Sequence, residues 1–234
     1  MAENSFKNVS THPKAFFLLP VKTLFLLGGV FSAFFIMIAG LVLFGYTNSM
    51  DNAIFSLMRS NSSNPILDQT LQRIVFLGSS QFVLPLSLLV GVFLSLYRRN
   101  LVLGVWFVLS VILFEALLES LKHLLAHSIQ WLSHSANFPS AIALSLTLFY
   151  GLLVLLIPHF IAHKTLQNIL VYGLFGLILL ISLALIVLGV SFSSVLGGFC
   201  LGALGGLFFH RDLFERVPKD LSERLKRMKI LSRF

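Results

Sequence analysis

The sequence predicts an all-α integral membrane protein with six transmembrane helices, and three observations carry that prediction. Of the 234 residues, 57% are hydrophobic and 11% charged, with a mean hydropathy of +0.92. A water-soluble domain of this length needs many more polar residues to coat its exterior. Apolar runs of about 20 residues recur, the length that crosses a hydrocarbon core of about 30 Å. The basic residues, finally, gather in alternate connections between those runs. Only helices or closed barrels satisfy the backbone in lipid, and these runs are continuously apolar rather than alternating, so helices are expected.

The elements follow in order. Residues 1–20 form a polar leading segment, and the membrane domain is expected over 21–209. The first span, 21–45, is too long for a signal-peptide core and has no small-x-small cleavage site after it, so it is expected to stay as an anchor. Residues 46–75 read as a segment on the outer face. Within it, 51–75 suggests two short amphipathic helices broken around Asn64-Pro65, because proline disfavours a helical conformation at the residue before it. Spans two and three, 76–97 and 101–125, are separated by the basic "RRN" of 98–100. Span four is 139–160, with Pro139 suited to a first helical turn. Spans five and six, 166–189 and 191–209, meet at "GVSFSS". Gly198, Gly202 and Gly206 in span six lie four apart, a spacing that lets helix backbones approach closely. Packing inside the bundle and a homo-oligomer interface both fit that stripe.

Lys7, Lys14 and Lys22 precede span one, Arg98 and Arg99 join spans two and three, and His163 and Lys164 join spans four and five. Six alternating spans put all of these on one side, together with the basic tail. The excess of positive charge makes that side cytoplasmic, so both termini are expected inside. The formal charge is +8, and the last 24 residues carry eight Lys/Arg against four Asp/Glu, a surplus of four and half of the total. A juxtamembrane tail of this kind contacts anionic lipid heads rather than nucleic acid. Within 210–234, Asp220 and Glu223 have the form of a capping box, followed by Leu221, Leu225 and Met228 on one face. A short interfacial helix or a solvated tail would fit that pattern. Cys200 is the single cysteine, which excludes an intramolecular disulfide. Compact loops and the inferred topology point to a bacterial inner membrane.

Span three ends "FEALLESLKHLLAH". Glu115, Glu119, His123 and His127 are spaced four apart and so stack along one helix face, with Lys122 beside them. Ionisable groups in a membrane are costly and usually face the bundle interior or water. Three readings are open. In the structural one, Glu119 pairs with Lys122, Glu115 finds a polar partner on a neighbouring helix, and the histidines sit at the wet outer interface. In the second, the stripe is the remnant of a ligand site. In the third, it is a metal or proton pathway, with His123 and His127 as candidate ligands at i and i+4.

Taken together, "MDNAIFSLMRS…NPILDQTLQRIVFLGSS", the "RR" turn, "LKHLLAH", "NFPSAIA" and "LGVSFSSVLGGFCLGALGG" resemble, in order, spacing and sidedness, the type-2 phosphatidic acid phosphatase family. The resemblance runs from about Asp51 to Phe209. It implies a six-helix phosphatidic-acid-phosphatase-type bundle and a lipid phosphate as ligand, and no cofactor. Active members carry a lysine followed seven residues later by Arg-Pro, then Pro-Ser-Gly-His, then Ser-Arg, five residues, His, three residues, Asp. In that chemistry the last histidine attacks phosphorus while the aspartate orients it, and the other histidine protonates the leaving alcohol. The cations and serine stabilise the shifting oxygen charge.

Placed on those slots, Lys122, Pro139 and Ser140 match. The Arg-Pro slots hold Ile129 and Gln130, and the Gly-His slots hold Ala141 and Ile142. The Ser-Arg slots hold Ala184 and Leu185, and the nucleophile slot holds Ser191. The aspartate slot falls on Val195, or on Ser194 after one deletion. Loss of a nucleophile and its base costs on the order of 10⁶ in rate in a serine protease. The expectation is therefore a pseudoenzyme, a lipid-phosphate-binding or scaffold protein, with Lys122, Glu119, His123, His127 and Ser140 as candidate binding residues. Membrane lipids, a second copy or another membrane protein are its expected partners. Two alternatives stay open: a phosphatase or transferase acting on phosphatidic acid or a polyprenyl diphosphate through rewired residues such as Ser191, and the metal or proton pathway.

Overall fold

A computed structural model describes residues 21–59, 65–98, 101–128, 138–161 and 163–211. They form α1 (Val21–Leu43), α2 (Asn48–Arg59), α3 (Pro65–Phe76), α4 (Ser80–Arg98), α5 (Leu101–Ser128), α6 (Ala141–Phe160), α7 (Lys164–Val187) and α8 (Phe192–Arg211). Among the described residues there are six segments long and apolar enough to cross a membrane, and every regular element is helical. The protein is a multi-pass membrane bundle. Its lipid-facing sides are apolar, as exposed Phe25, Leu89, Val105 and Leu179 illustrate.

The expected spans are all present, with shifted ends. The second begins its transmembrane helix at Ser80, after a turn at residues 77–79 that separates it from α3. Gly78 is buried in that turn, and the Tyr150 hydroxyl of α6 donates to the Leu77 carbonyl at 2.9 Å. The fourth begins at Ala141 rather than 139. Ser140 takes the cap position, with extended backbone (φ −66°, ψ 120°) and its Oγ accepting from the Ala143 N–H. Pro139 thus precedes the helix instead of occupying its first turn, because the serine supplies the acceptor that a first-turn amide needs. The two short amphipathic helices between the first two spans are α2 and α3. The residues between them, the expected leading segment 1–20 and the tail 212–234 lie outside the described residues.

α6 is the buried centre. Leu144, Leu146, Leu148, Phe149 and Leu152 are all nearly inaccessible, and its most extensive partner is α8. Glycines in α8 make that approach possible. A Cβ on Gly198 would lie 2.6 Å from the Ser140 carbonyl oxygen, and one on Gly202 would lie 2.8 Å from that of Leu144. Residues advancing together in this way show that α6 and α8 run parallel. Gly206 departs from the expected stripe, since nothing lies within 4 Å of a Cβ there; Gly205 takes its place, against Phe114 and Leu148. The reason is helical phase. Seven residues return to the same face within about 20°, whereas steps of four drift steadily around the helix.

α1 packs chiefly on α8, where Ile38, Val42, Phe138 and Cys200 form a small second core. α4 and α5 cross at Gly91 and Gly104, where a Cβ on Gly91 would lie 2.9 Å from the Gly104 carbonyl. α1 and α7 stop alike. Gly45 (φ 73°) and Gly189 (φ 97°) take left-handed conformations, and the next amides return to Leu41 and Leu185 at 3.0 Å each. These are Schellman endings, which satisfy carbonyls the helix leaves open.

Candidate functional site

The amino termini of α6 and α8 meet. The Ser140 amide donates to the Ser194 carbonyl at 3.0 Å, which locks the residues before α6 onto the first turn of α8. The Phe138-Pro139 peptide that leads into this junction is cis, and Phe138 and Pro139 lie over Gly197. Ser191 Oγ donates to Ser194 Oγ at 2.7 Å. Ser140, Ser193 and Ser194 are buried, and Ser191 partly so. Two parallel helices with adjoining amino termini concentrate partial positive charge and open amides in one place.

Part of that charge is met by a residue the sequence pattern did not single out. Asp51, in the first turn of α2, accepts from the Ser193 amide at 3.0 Å through Oδ1 and from Ser193 Oγ at 2.6 Å through Oδ2. Its carboxylate caps α8 from another helix. The one available signal was an acidic residue at the start of an amphipathic segment, and a separation of 142 positions hides its partner.

The other expected residues are distributed as follows. Ser140 and Ser191 are brought together through Ser194. Lys122 pairs with Glu119 on its own helix at 3.9 Å, the lysine largely covered and the glutamate largely exposed. Glu115 accepts from Ser145 Oγ of α6 at 2.8 Å. These are the two contacts that the structural reading of the stripe expects. Lys122 follows Glu115 by seven residues and so lies near the same face of α5, two turns further along the helix. His123 is exposed. The His127 side chain, His134, Ile129 and Gln130 lie outside the described residues. Among the described residues no group of three or more His, Cys, Asp or Glu side chains could hold a metal ion.

Ile142, in the slot of a leaving-group acid, belongs to an apolar wall. A Cβ built on Gly78 would lie 3.1 Å from Ile142 Cγ2 and 3.3 Å from Ile181 Cγ2. Ala184 and Leu185 are buried core residues, as is Val195. Among the described residues the junction therefore presents hydroxyls, amides and the Asp51 carboxylate. A serine hydroxyl acts as a nucleophile when an adjacent general base takes its proton.

No family model matches the sequence. The chain is 29% identical over 205 residues to phosphatidylglycerophosphatase B of Bacillus subtilis strain 168, covering 84% of this chain and 95% of that protein. Its fold matches the crystal structure of the first transmembrane PAP2 type phosphatidylglycerolphosphate phosphatase from Bacillus subtilis, with a TM-score of 0.66 and 23% identity over 81% of this chain and 98% of the other.

Proposed function

We propose that this chain, which resembles the type-2 phosphatidic acid phosphatases in sequence and has their transmembrane fold, is a non-catalytic relative that binds a lipid phosphate or serves as a scaffold in the membrane. The observation that carries this reading is the serine junction. Ser191 stands in the nucleophile slot and gives its proton to Ser194, while Ile142 fills the acid slot as part of a hydrocarbon wall. Phosphoryl transfer through a histidine needs an attacking imidazole, an oriented acid and a proton donor. The corresponding slots here hold hydroxyl and alkyl groups. What is retained is the part that shapes a phosphate pocket: the Ser140 cap, the paired amino termini, and Lys122 on the adjoining face of α5.

In this reading the serine junction and α2 face outward, while the chain's basic ends lie in the cytoplasm of a bacterial cell, with the tail on anionic lipid. The ligand is a lipid bearing a phosphomonoester or diphosphate, of the kind that the relative's name indicates for that protein. Purified protein should release no phosphate above background from phosphatidylglycerophosphate, phosphatidic acid or a polyprenyl diphosphate. It should retain one of these in a vesicle-binding assay, with retention weakened several-fold by Lys122→Ala. Phosphate release that disappears in Ser191→Ala would replace this reading with a rewired enzyme. Release that survives Ser191→Ala but not His127→Ala would do the same through a different residue.

A further inference from the structure

The side chains of α2 that face the bundle form a compact latch. Asp51 holds the Ser193 amide and hydroxyl, Phe55 lies one turn further along the same face, and a Cβ on Gly189 would sit 3.4 Å from its ring. Ile54, between them, packs against the main core. The opposite face of α2, with Asn52, Ala53, Ser56 and Leu57, is exposed. α2 thus lies across the α7–α8 turn and the first turn of α8, next to the serine junction. Its amino-terminal end follows directly from the left-handed Gly45 that closes α1. Glycine moves between left- and right-handed conformations at little steric cost, so this link suits a pivot.

We propose that α2 is a strap that closes over the serine junction, with Asp51 as its latch and Gly45 as its pivot. The bonds at Asp51 are charge-assisted, and the carboxylate faces the positive end of α8, so this contact holds more strongly than the apolar contacts beside it. Ser193 is 3% exposed, and with the latch undone its amide and hydroxyl lose their acceptor together. The strap therefore opens as one unit rather than fraying. While closed, it places a negative charge at the end of α8, where an incoming anion has to compete with it. The latch stands on the geometry of α2 alone, whether or not the junction binds a phosphate.

Hydrogen–deuterium exchange on the full chain in lipid nanodiscs tests the strap. In Asp51→Ala, amides of 48–59 and 189–195 should exchange at least tenfold faster than in the parent, while those of 143–152 in α6 keep their protection. Asp51→Asn, which preserves shape but loses the charge, should fall between the two. Unchanged exchange at 48–59 would overturn the proposal, because the latch would then hold nothing. Equal loss of protection across 143–152 would also overturn it, by making Asp51 a support of the whole bundle. In a Cys200→Ala background, the pair Asp51→Cys/Ser193→Cys should form a disulfide under mild oxidant and slow exchange at 48–59 below the parent value. Failure of that bond to form would count against the closed strap.

Discussion

Glu115 is a carboxylate inside a membrane span, and its neighbour decides what it does there. Its hydrogen bond from Ser145 joins α5 to α6, and Ser145 itself is fully buried. Hydrogen bonds of this kind in membranes contribute about 0.6 kcal/mol on average and rarely more than about 1.7. The two single changes should be unequal. Without Glu115, the Ser145 hydroxyl can turn back to a carbonyl one turn earlier, as Ser182 does to Ile178 and Thr147 to Ala143. Without Ser145, a partly buried carboxylate loses its donor. A double-mutant cycle of Glu115→Gln and Ser145→Ala, read by thermal denaturation in detergent, should give a coupling of about 0.5–1.5 kcal/mol. A coupling near zero would make the contact incidental. At this scale the sequence was only half legible. The spacing of the stripe told that Glu115 needs a polar partner on another helix but not which residue supplies it. Asp51 stayed hidden because no local pattern links positions so far apart.

Among the helices, glycine placement governs packing more sharply than hydropathy does. Gly198 and Gly202 leave less than 3 Å between a new Cβ and the carbonyl oxygens of Ser140, the cap of α6, and Leu144 within it, whereas Gly206 faces open space. Gly198→Val and Gly202→Val should each destabilise the bundle by about 1–3 kcal/mol, the usual cost of overpacking. Gly206→Ala should stay within about 0.5 kcal/mol of the parent. The midpoint of thermal denaturation monitored by tryptophan fluorescence distinguishes them, and similar losses at all three positions would contradict the phase argument. The small-residue stripe was readable, and packing inside the bundle accounts for its first two members. Its third member was misplaced because a step of four is not a whole number of turns. The crossing of Gly91 with Gly104 had no such signature, since each glycine stands alone in its helix and only their meeting makes them a pair.

For the whole molecule, long apolar runs and turn signals were enough to place six spans and two short helices to within a few residues. Transmembrane length is fixed by the bilayer, and a helix long enough to cross it leaves little freedom elsewhere. Charge asymmetry adds a prediction about orientation that packing alone does not make. Reporter domains fused at Met1 and at Phe234 should both read out as cytoplasmic, and a cysteine introduced at Ser56, on the exposed face of α2, should be labelled by an impermeant thiol reagent from outside intact cells. Labelling at Ser56 only after lysis would invert the molecule. The candidate site could be laid out in the sequence only as a set of slots, whose order the resemblance supplied. What filled the space around them was not legible, since the contacts of Ile142, Ser194 and Asp51 depend on how α2, α6, α7 and α8 come together.

The parallel contact between α6 and α8 also bears on how the protein is made. Neighbours in an antiparallel hairpin can associate as soon as both have left the ribosome, and α4 with α5 is such a pair. α6 and α8 cannot, because α7 has to cross the membrane between them before their amino termini can meet. The most extensive interface among the described helices is therefore completed only with α8. A chain that stops after α7 would leave the face of α6 that meets Gly198 and Gly202 without its partner.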